Sequence, residues 1–302
     1  MISWWLVRFL IIGASGFVGR HLLAHVRSRG YEALGTQSHA RLPGLIAFDL
    51  ARQRVEDCLP ESFLKSHEPK FAVICAAISQ IDRCFRDRPI SYAINVDGTI
   101  RLLQDLLRLE VCPVFVSTSF VFDGHTGYYD EGAVRAPVCE YGRHKALVEE
   151  FIEKDAPQTL VVRLDKVVGD DPREEHLFSE WYRLIQDSRP VECMQGQLFA
   201  PTHADDVARG IVLACERNLR GVYGLTNSEF FCRDELARQF ASALGVTARI
   251  VTRPLEAFDF LDPRPLKTYL DCTRFRRATG MQFTSMREAM GAFIEKLRKG
   301  HH

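Results

Sequence analysis

Residues 6–19 read LVRFLIIGASGFVG, and the stretch that continues them, FVGRHLLAHVRSRG (17–30), carries its apolar residues at helical spacing. Leu6 to Ile12 is an apolar run broken only by Arg8, so it is expected to form a buried strand. The glycines fall where that strand passes into the helix, and each has a physical job there. Gly13 permits a tight turn, Gly16 lets backbone approach a pyrophosphate, and Gly19 lets helix and strand pack closely. The helix N-terminus adds unpaired N–H groups and positive potential for the anion. The spacing is G-x-x-G-x-x-G. Gly13, Ser15, Gly16, Phe17, Val18 and Gly19 are therefore candidate contacts to a dinucleotide.

Outward from this unit the pattern repeats. Apolar runs YEALGT (31–36), LIAFDL (45–50) and FAVICAA (71–77) precede a helical stretch around 91–109. VFVSTSFVF (114–122), the helical YGRHKALVEEFIEK (141–154) and TLVVRLDKVVG (159–169) follow. Non-alternating apolar strands between helices mean a parallel sheet covered on both faces, an α/β doubly wound fold of the Rossmann type. Past residue 170 the pattern loosens, with helices near 177–187, 204–217, 233–243 and 285–298. The expected organisation is a dinucleotide-binding domain over 6–169, to which about 204–226 returns. A smaller C-terminal α/β substrate lobe takes 170–203 and 227–299.

The composition excludes several classes. With 302 residues, 46% hydrophobic and 26% charged, the chain can bury a real core. Lys+Arg and Asp+Glu are both 39, which gives no electrostatic reason for a nucleic-acid or membrane partner. The nine cysteines are odd in number and scattered, with no C-x-x-C. They are neither a disulfide framework nor a zinc site, and a reducing cytoplasm fits them. His39, His125, His144 and His203 lack ligand spacing, so no metal is expected. The opening MISWWLVRFLII is too short to span a bilayer and lacks a basic leader. Gly300-His301-His302 reads as a tag remnant.

Cofactor choice is read at the end of the second strand. An NAD site places Asp or Glu there for the ribose hydroxyls, but no acid occurs between Ala33 and Phe48. Arg20 and Arg41 are candidates to meet a 2′-phosphate, so NADP(H) is favoured over NAD(H).

Tyr141 and Lys145 stand four apart on a predicted helix and share a face. An ammonium beside a phenol favours the phenolate and lowers its pKa, which suits general acid–base work. The strand end Ser117-Thr118-Ser119 supplies the hydroxyl partner.

These residues carry a family resemblance. The chain resembles the extended short-chain dehydrogenases, and within them the dTDP-4-dehydrorhamnose reductase branch, over nearly its whole length. STSFVFDGHTGYYDEGAVRAPVCEYGRHK (117–145) is similar to the branch's ST-D-Y-VFDG, G-x-Y-x-E and P-x-x-x-YG-x-x-K. AINVDGT (93–99), APTHADDVA (200–208) and GVYGLTNSE (221–229) match further branch motifs. The resemblance implies that Thr118 orients a substrate carbonyl and that Tyr141 donates a proton to it. Lys145 would hold the nicotinamide ribose. It also implies cofactor contacts at Asp49 and Leu50 by the adenine, at Ala76 and Ala77 beneath the ribose, and at Asn95. The implied partner is a small nucleotide-sugar, and the family's analogy is a homodimer. The chain departs from the branch at Ser119-Phe120, where Asp-Tyr is usual. It departs again in the R-T-S-W-V-Y segment, here Arg163-Leu-Asp-Lys-Val-Val with Lys166 in place of Trp, and at His203 in place of Tyr. The expected reaction is therefore reduction of a keto sugar. Epimerisation or dehydration on the same scaffold, or a non-catalytic NADP-binding regulatory subunit, are the alternatives.

Overall fold

The computed structural model describes residues 7–38, 42–65 and 70–299. Arg41 and His39, together with the opening Met1 to Leu6, lie outside the described residues. The first half contains β1 (Arg8–Ile12), α1 (Phe17–Ser28), β2 (Glu32–Gln37), β3 (Ile46–Ala47), α2 (Glu61–Leu64), β4 (Lys70–Ile74), α3 (Ile81–Arg86), α4 (Arg88–Tyr92), α5 (Thr99–Arg108), β5 (Cys112–Thr118) and α6 (Glu140–Asp155). Then come β6 (Leu160–Leu164), β7 (Val167–Val168), α7 (Leu177–Gln186), β8 (Val191–Met194), β9 (Leu198–Phe199), β10 (Thr202–His203), α8 (Ala204–Glu216) and β11 (Gly221–Gly224). The chain ends with β12 (Phe231–Cys232), α9 (Arg233–Leu244), β13 (Ile250–Arg253), α10 (Thr273–Thr279) and α11 (Met286–Lys299).

Seven strands form one sheet in the order β11-β6-β5-β4-β1-β2-β3, and every pairing in it is parallel. The order reverses between β4 and β1, so a crevice opens at their carboxyl ends. Side chains of β1 alternate between two cores, as strand geometry requires. Phe9 and Ile11 pack with Leu22, Val26 and Ile211 on the face covered by α1 and α8. Leu10 and Ile12 pack with Leu103, Leu106 and Ile152 on the face covered by α5 and α6. Burying such a side chain is worth about 1.5–3 kcal/mol, which is why β1 tolerates no polar residue past Arg8.

The remainder has its own core, in which Phe178 stacks on Phe240 at 5.0 Å and Phe293 meets Phe240 edge-on at 5.4 Å. Around it stand α7, α9, α11 and the strand pairs β8–β13 and β9–β12. The strand β11 joins the main sheet beside β6. Phe275 of α10 and Met281 after it also pack in the α1/α8 core rather than with the lobe. No helix among the described residues is long and apolar enough to cross a membrane.

Two apolar runs that look continuous in sequence are divided. TLVVRLDKVVG becomes β6 and β7, parted at Asp165-Lys166. VFVSTSFVF ends as a strand at Thr118, because Ser119–Val121 tightens into a 3₁₀ turn capped by Thr118, whose Oγ1 accepts from Phe120 N at 3.2 Å. Both divisions turn side chains into the crevice.

Candidate active site

A cleft of about 600 Å³ lies at the carboxyl ends of β1, β4, β5 and β6. Its walls include Gly13, Gly16, Phe17, Val18, Gly19, Ala77, Thr118, Tyr141 and Lys145. Among the sequence candidates, Ser15, Asp49, Leu50, Ala76 and Asn95 are not on that wall.

The glycine loop is shaped by close approach. Gly13 has φ of 85°, and a Cβ there would sit 2.8 Å from Ala76 backbone. A Cβ on Gly19 would sit 2.2 Å from the Gly13 carbonyl oxygen. Gly16 precedes α1 with no side-chain cap, and α1 has no acid in its first turn. Its N–H groups thus face the cleft without a competing side chain, as an anion cradle requires.

Asn95 sits in a π-helical turn over Ala93–Gly98 and works from behind the wall. Its amide accepts from Ile78 N at 2.8 Å and donates to Ile78 O at 2.9 Å. It therefore fixes the loop after β4 that carries Ala76 and Ala77. Leu50 is buried in the α5/α6 core, and its carbonyl accepts from Arg101 at 2.7 Å. Asp49 caps a turn, accepting from Ala51 N at 3.0 Å. Arg20, a candidate for the 2′-phosphate, is engaged by an acid and a ring. Its guanidinium pairs with Glu174 at 2.7 Å and lies over the Phe17 ring.

Tyr141 stands in the first turn of α6 and lines the cleft together with Thr118. The approach of these two elements depends on Gly142, where a Cβ would lie 2.1 Å from the Phe120 carbonyl oxygen. Lys145 is buried one turn further on. Its ammonium donates to Val116 O at 2.7 Å and lies 4.5 Å from the centre of the Phe115 ring. The expectation that Lys145 would lower the Tyr141 pKa is overturned within the protein. Burial pushes the Tyr141 phenol well above its ordinary value, aided by Cys84 and Cys139 and opposed by Thr118. Burial also holds Lys145 down, at about 8, against the pull of Cys75 and Glu149. A desolvated ammonium turned toward a carbonyl cannot offset the cost of a buried phenolate.

Beneath this pair lies a buried charge network. Glu149 accepts from Ser117 Oγ at 2.6 Å, and from Arg163 at 3.1 Å and 2.7 Å on its two oxygens. Arg135 reaches the same carboxylate at 3.3 Å. Sequence reading missed this group, although Glu149 stands four residues after Lys145 on the same helix face.

The departures around the catalytic candidates are connected. Ser119 Oγ donates to Asp165 Oδ1 at 3.1 Å. The branch pattern has Asp at the first position and Ser at the second, so here the acid and the hydroxyl have changed places across one hydrogen bond. Asp165 also accepts from Thr268 at 2.8 Å and from Ala200 N at 2.7 Å, which ties the sheet to the lobe. Burial raises its carboxyl to about 6 despite these donors.

A second tie crosses the glycine loop. His21 of α1 meets Asp205 at 2.6 Å through Nδ1 and Glu174 at 2.9 Å through Nε2. Both nitrogens can donate only in the imidazolium. Burial pulls the His21 pKa down, but the two carboxylates outweigh it and the net shift is upward. A raised histidine pKa stabilises the fold fully below the unfolded value of 6.5, and that stability is lost as pH rises through the folded value. Stability in thermal melts is therefore expected to fall as pH rises through that value. His21→Gln should abolish this part of the profile, and an unchanged profile would remove His21 as its source.

Comparison with known proteins follows the same lines. The model of one family, described as "RmlD substrate binding domain", matches residues 7–299. The probable low-salt glycan biosynthesis reductase Agl14 of Haloferax volcanii is 23% identical, over 93% of this chain and 95% of its own. A dTDP-4-dehydrorhamnose reductase of Aggregatibacter actinomycetemcomitans is 24% identical, over 94% and 97%. Methionine adenosyltransferase 2 subunit beta of Xenopus laevis is 23% identical, over 89% and 82%. Among solved structures, dTDP-4-dehydrorhamnose reductase from Bacillus anthracis in complex with NADP superposes with a TM-score of 0.82. It is 21% identical and covers 96% of this chain and 99% of its own, a likeness of fold.

Proposed function

Since the chain belongs to the RmlD substrate-binding family, of the extended short-chain dehydrogenase type, we propose that it reduces a ketone of a nucleotide-linked sugar with NADPH. The observation that carries this reading is the convergence of Thr118, Tyr141 and Lys145 with the glycine loop on one cleft. The loop from Gly13 to Gly19 and the first turn of α1 would hold the pyrophosphate. Ala77 and Lys145 would border the nicotinamide ribose, and Asn95 keeps the loop beneath it in place. When bound, NADPH supplies the hydride that reduces the carbonyl carbon. Thr118 orients the carbonyl oxygen, and Tyr141 gives it a proton. Lys145, still charged below about 8, would hold the nicotinamide ribose beside the reacting carbonyl. The raised pKa of Tyr141 keeps the phenol protonated at neutral pH, the form that reduction needs.

NADP(H) is preferred over NAD(H) because the end of β2, Thr36-Gln37-Ser38, offers no carboxylate to a ribose 2′-hydroxyl. The test is NADPH oxidation followed by absorbance with dTDP-4-dehydrorhamnose, with NADH in parallel. Stoichiometric consumption, faster with NADPH, is the expected result. A sugar converted without net loss of NADPH would point to epimerisation or dehydration. NADPH bound while no keto sugar is consumed would favour the second reading, a regulatory subunit, which the likeness to methionine adenosyltransferase 2 subunit beta supports.

A further inference from the structure

The start of α6 is held from far away in the chain. Cys139 stands in its capping position and makes no side-chain capping hydrogen bond. Ser, Thr, Asp or Asn would serve there, because their oxygens accept from the open N–H groups of a first helical turn. The acceptor is instead Asp262, 122 positions away, whose Oδ2 takes the Glu140 N–H at 2.6 Å. Tyr141 is the next residue.

Asp262 lies between β13 and α10, in a segment whose burial is inverted. From Leu255 to Arg264 it is the only buried residue. It is 2% exposed, whereas Phe260 and Leu261 just before it are 37% and 47% exposed. Apolar packing alone would bury the ring and the leucine and leave the acid in water. Asp262 Oδ1 is buried with no hydrogen-bond partner, so the bond to α6 is the one its carboxylate makes among the described residues. The positive end of the helix favours a carboxylate there and offsets part of the cost of burying it.

The segment is fastened on both sides of that bond. Asp82, in the first turn of α3, accepts from Leu261 N at 3.2 Å and from Arg264 Nη2 at 2.7 Å. Arg264 Nη1 donates to Asp262 O at 2.7 Å, and the guanidinium lies over the Phe260 ring at 4.4 Å. Residues 260–264 are thus clamped to α3 and α6 together. Phe260 and Arg264 belong to the same cleft wall as Tyr141.

We infer that Asp262 is a positioning residue for Tyr141: it fixes the start of α6, and with it the place of the phenol oxygen in the cleft beside Thr118. It acts through the Glu140 N–H rather than on the substrate. A carboxamide of the same shape can accept that bond, and a methyl group cannot. This deepens the reductase reading, and its kinetic test rests on that reading.

The test compares Asp262→Ala and Asp262→Asn in two backgrounds, the parent and Tyr141→Phe, by steady-state NADPH oxidation with dTDP-4-dehydrorhamnose. Rates are referred to the concentration of NADPH-binding sites, so that a misfolded fraction does not count as lost turnover. Asp262→Ala should lower kcat by about 10- to 100-fold, the cost of displacing a reacting group by about 1 Å, with KM little changed. Asp262→Asn should recover most of that loss. In Tyr141→Phe there is no hydroxyl to place, so Asp262→Ala should cost almost nothing further. Equal losses in the two backgrounds, a loss confined to KM, or an Asn variant no better than the Ala variant would overturn the inference. A second measurement is independent of turnover. In protein labelled with 13Cζ-tyrosine, the Tyr141 resonance is the one missing from Tyr141→Phe. It should move in Asp262→Ala and stay in place in Asp262→Asn. An unmoved resonance in Asp262→Ala would overturn the inference whether or not a keto sugar is consumed. A parent protein without turnover, in which that resonance still answers to Asp262→Ala, would count against the reductase reading and uphold the positioning of Tyr141.

Discussion

Tyr141→Phe is expected to lower turnover by about 10²- to 10⁴-fold, the range for loss of a positioned general acid, while NADPH binds as before. The substitution removes one oxygen and keeps the ring, whose edge-on contact with Phe120 at 6.4 Å holds its place in the cleft. The pH profile of the unaltered protein checks the same assignment. Because Tyr141 is pushed up by burial, the phenol does not lose its proton in the neutral range. Lys145 does titrate, near 8, so kcat/KM for reduction should fall as pH rises through that value. kcat/KM reports groups of the free enzyme, and the shifts given above are those of the protein alone. Turnover unchanged in Tyr141→Phe, at matched NADPH affinity, would remove Tyr141 as the acid. The regulatory reading predicts no keto-sugar turnover to lose.

The parts of this site that could be read in sequence are those governed by local spacing. Gly13, Gly16 and Gly19 follow an apolar strand and open a helix, so their roles are set within fourteen residues. Tyr141 and Lys145 share a helix face by periodicity alone. The parts that could not be read depend on distant partners. Nothing in TLVVRLDKVVG signals a break, because the break is made by Asp165 bonding Ala200 and Thr268, residues 35 and 103 positions away. Asn95 looks like a cofactor contact by motif, but its two bonds to Ile78 can be seen only once the helix is packed. The sign of the Tyr141 shift is not legible in sequence for a related reason. Spacing shows the ammonium four residues away, but not the burial of both groups or the direction in which Lys145 points. Phe260 and Asp262 carry no motif at all; the segment between β13 and α10 brings them to the cleft and to α6.

The exchange between Ser119 and Asp165 shows how such long-range pairs constrain the chain. An Asp at 119 beside Asp165 would place two carboxylates where only one is solvated by donors. Changing one position therefore requires the other, and the pair reads as two unrelated departures until the 3.1 Å bond joins them.

The largest expected effect on the fold comes from Glu149→Ala. Glu149 and Arg163 are 1% and 2% exposed, and their two hydrogen bonds are the main compensation for burying both charges. Removing one partner of a buried pair costs about 3–5 kcal/mol, because the other charge stays behind without it. Arg163 retains only the Glu131 carbonyl at 3.3 Å and the Phe122 ring at 5.0 Å. The midpoint of urea unfolding should fall accordingly, at unchanged slope. Arg163→Met in the same chain should recover a large part of the loss, since apolar replacement of both partners removes the stranded charge. A single variant as stable as the parent would show that the network carries no net stability. The consequence for the site is separate and measurable. Glu149 favours the charged form of Lys145, so its loss moves the Lys145 pKa further down. The alkaline limb of the kcat/KM profile should then shift toward lower pH in the double variant, where the fold is kept and, of the two groups removed, Glu149 is the one that acts on Lys145.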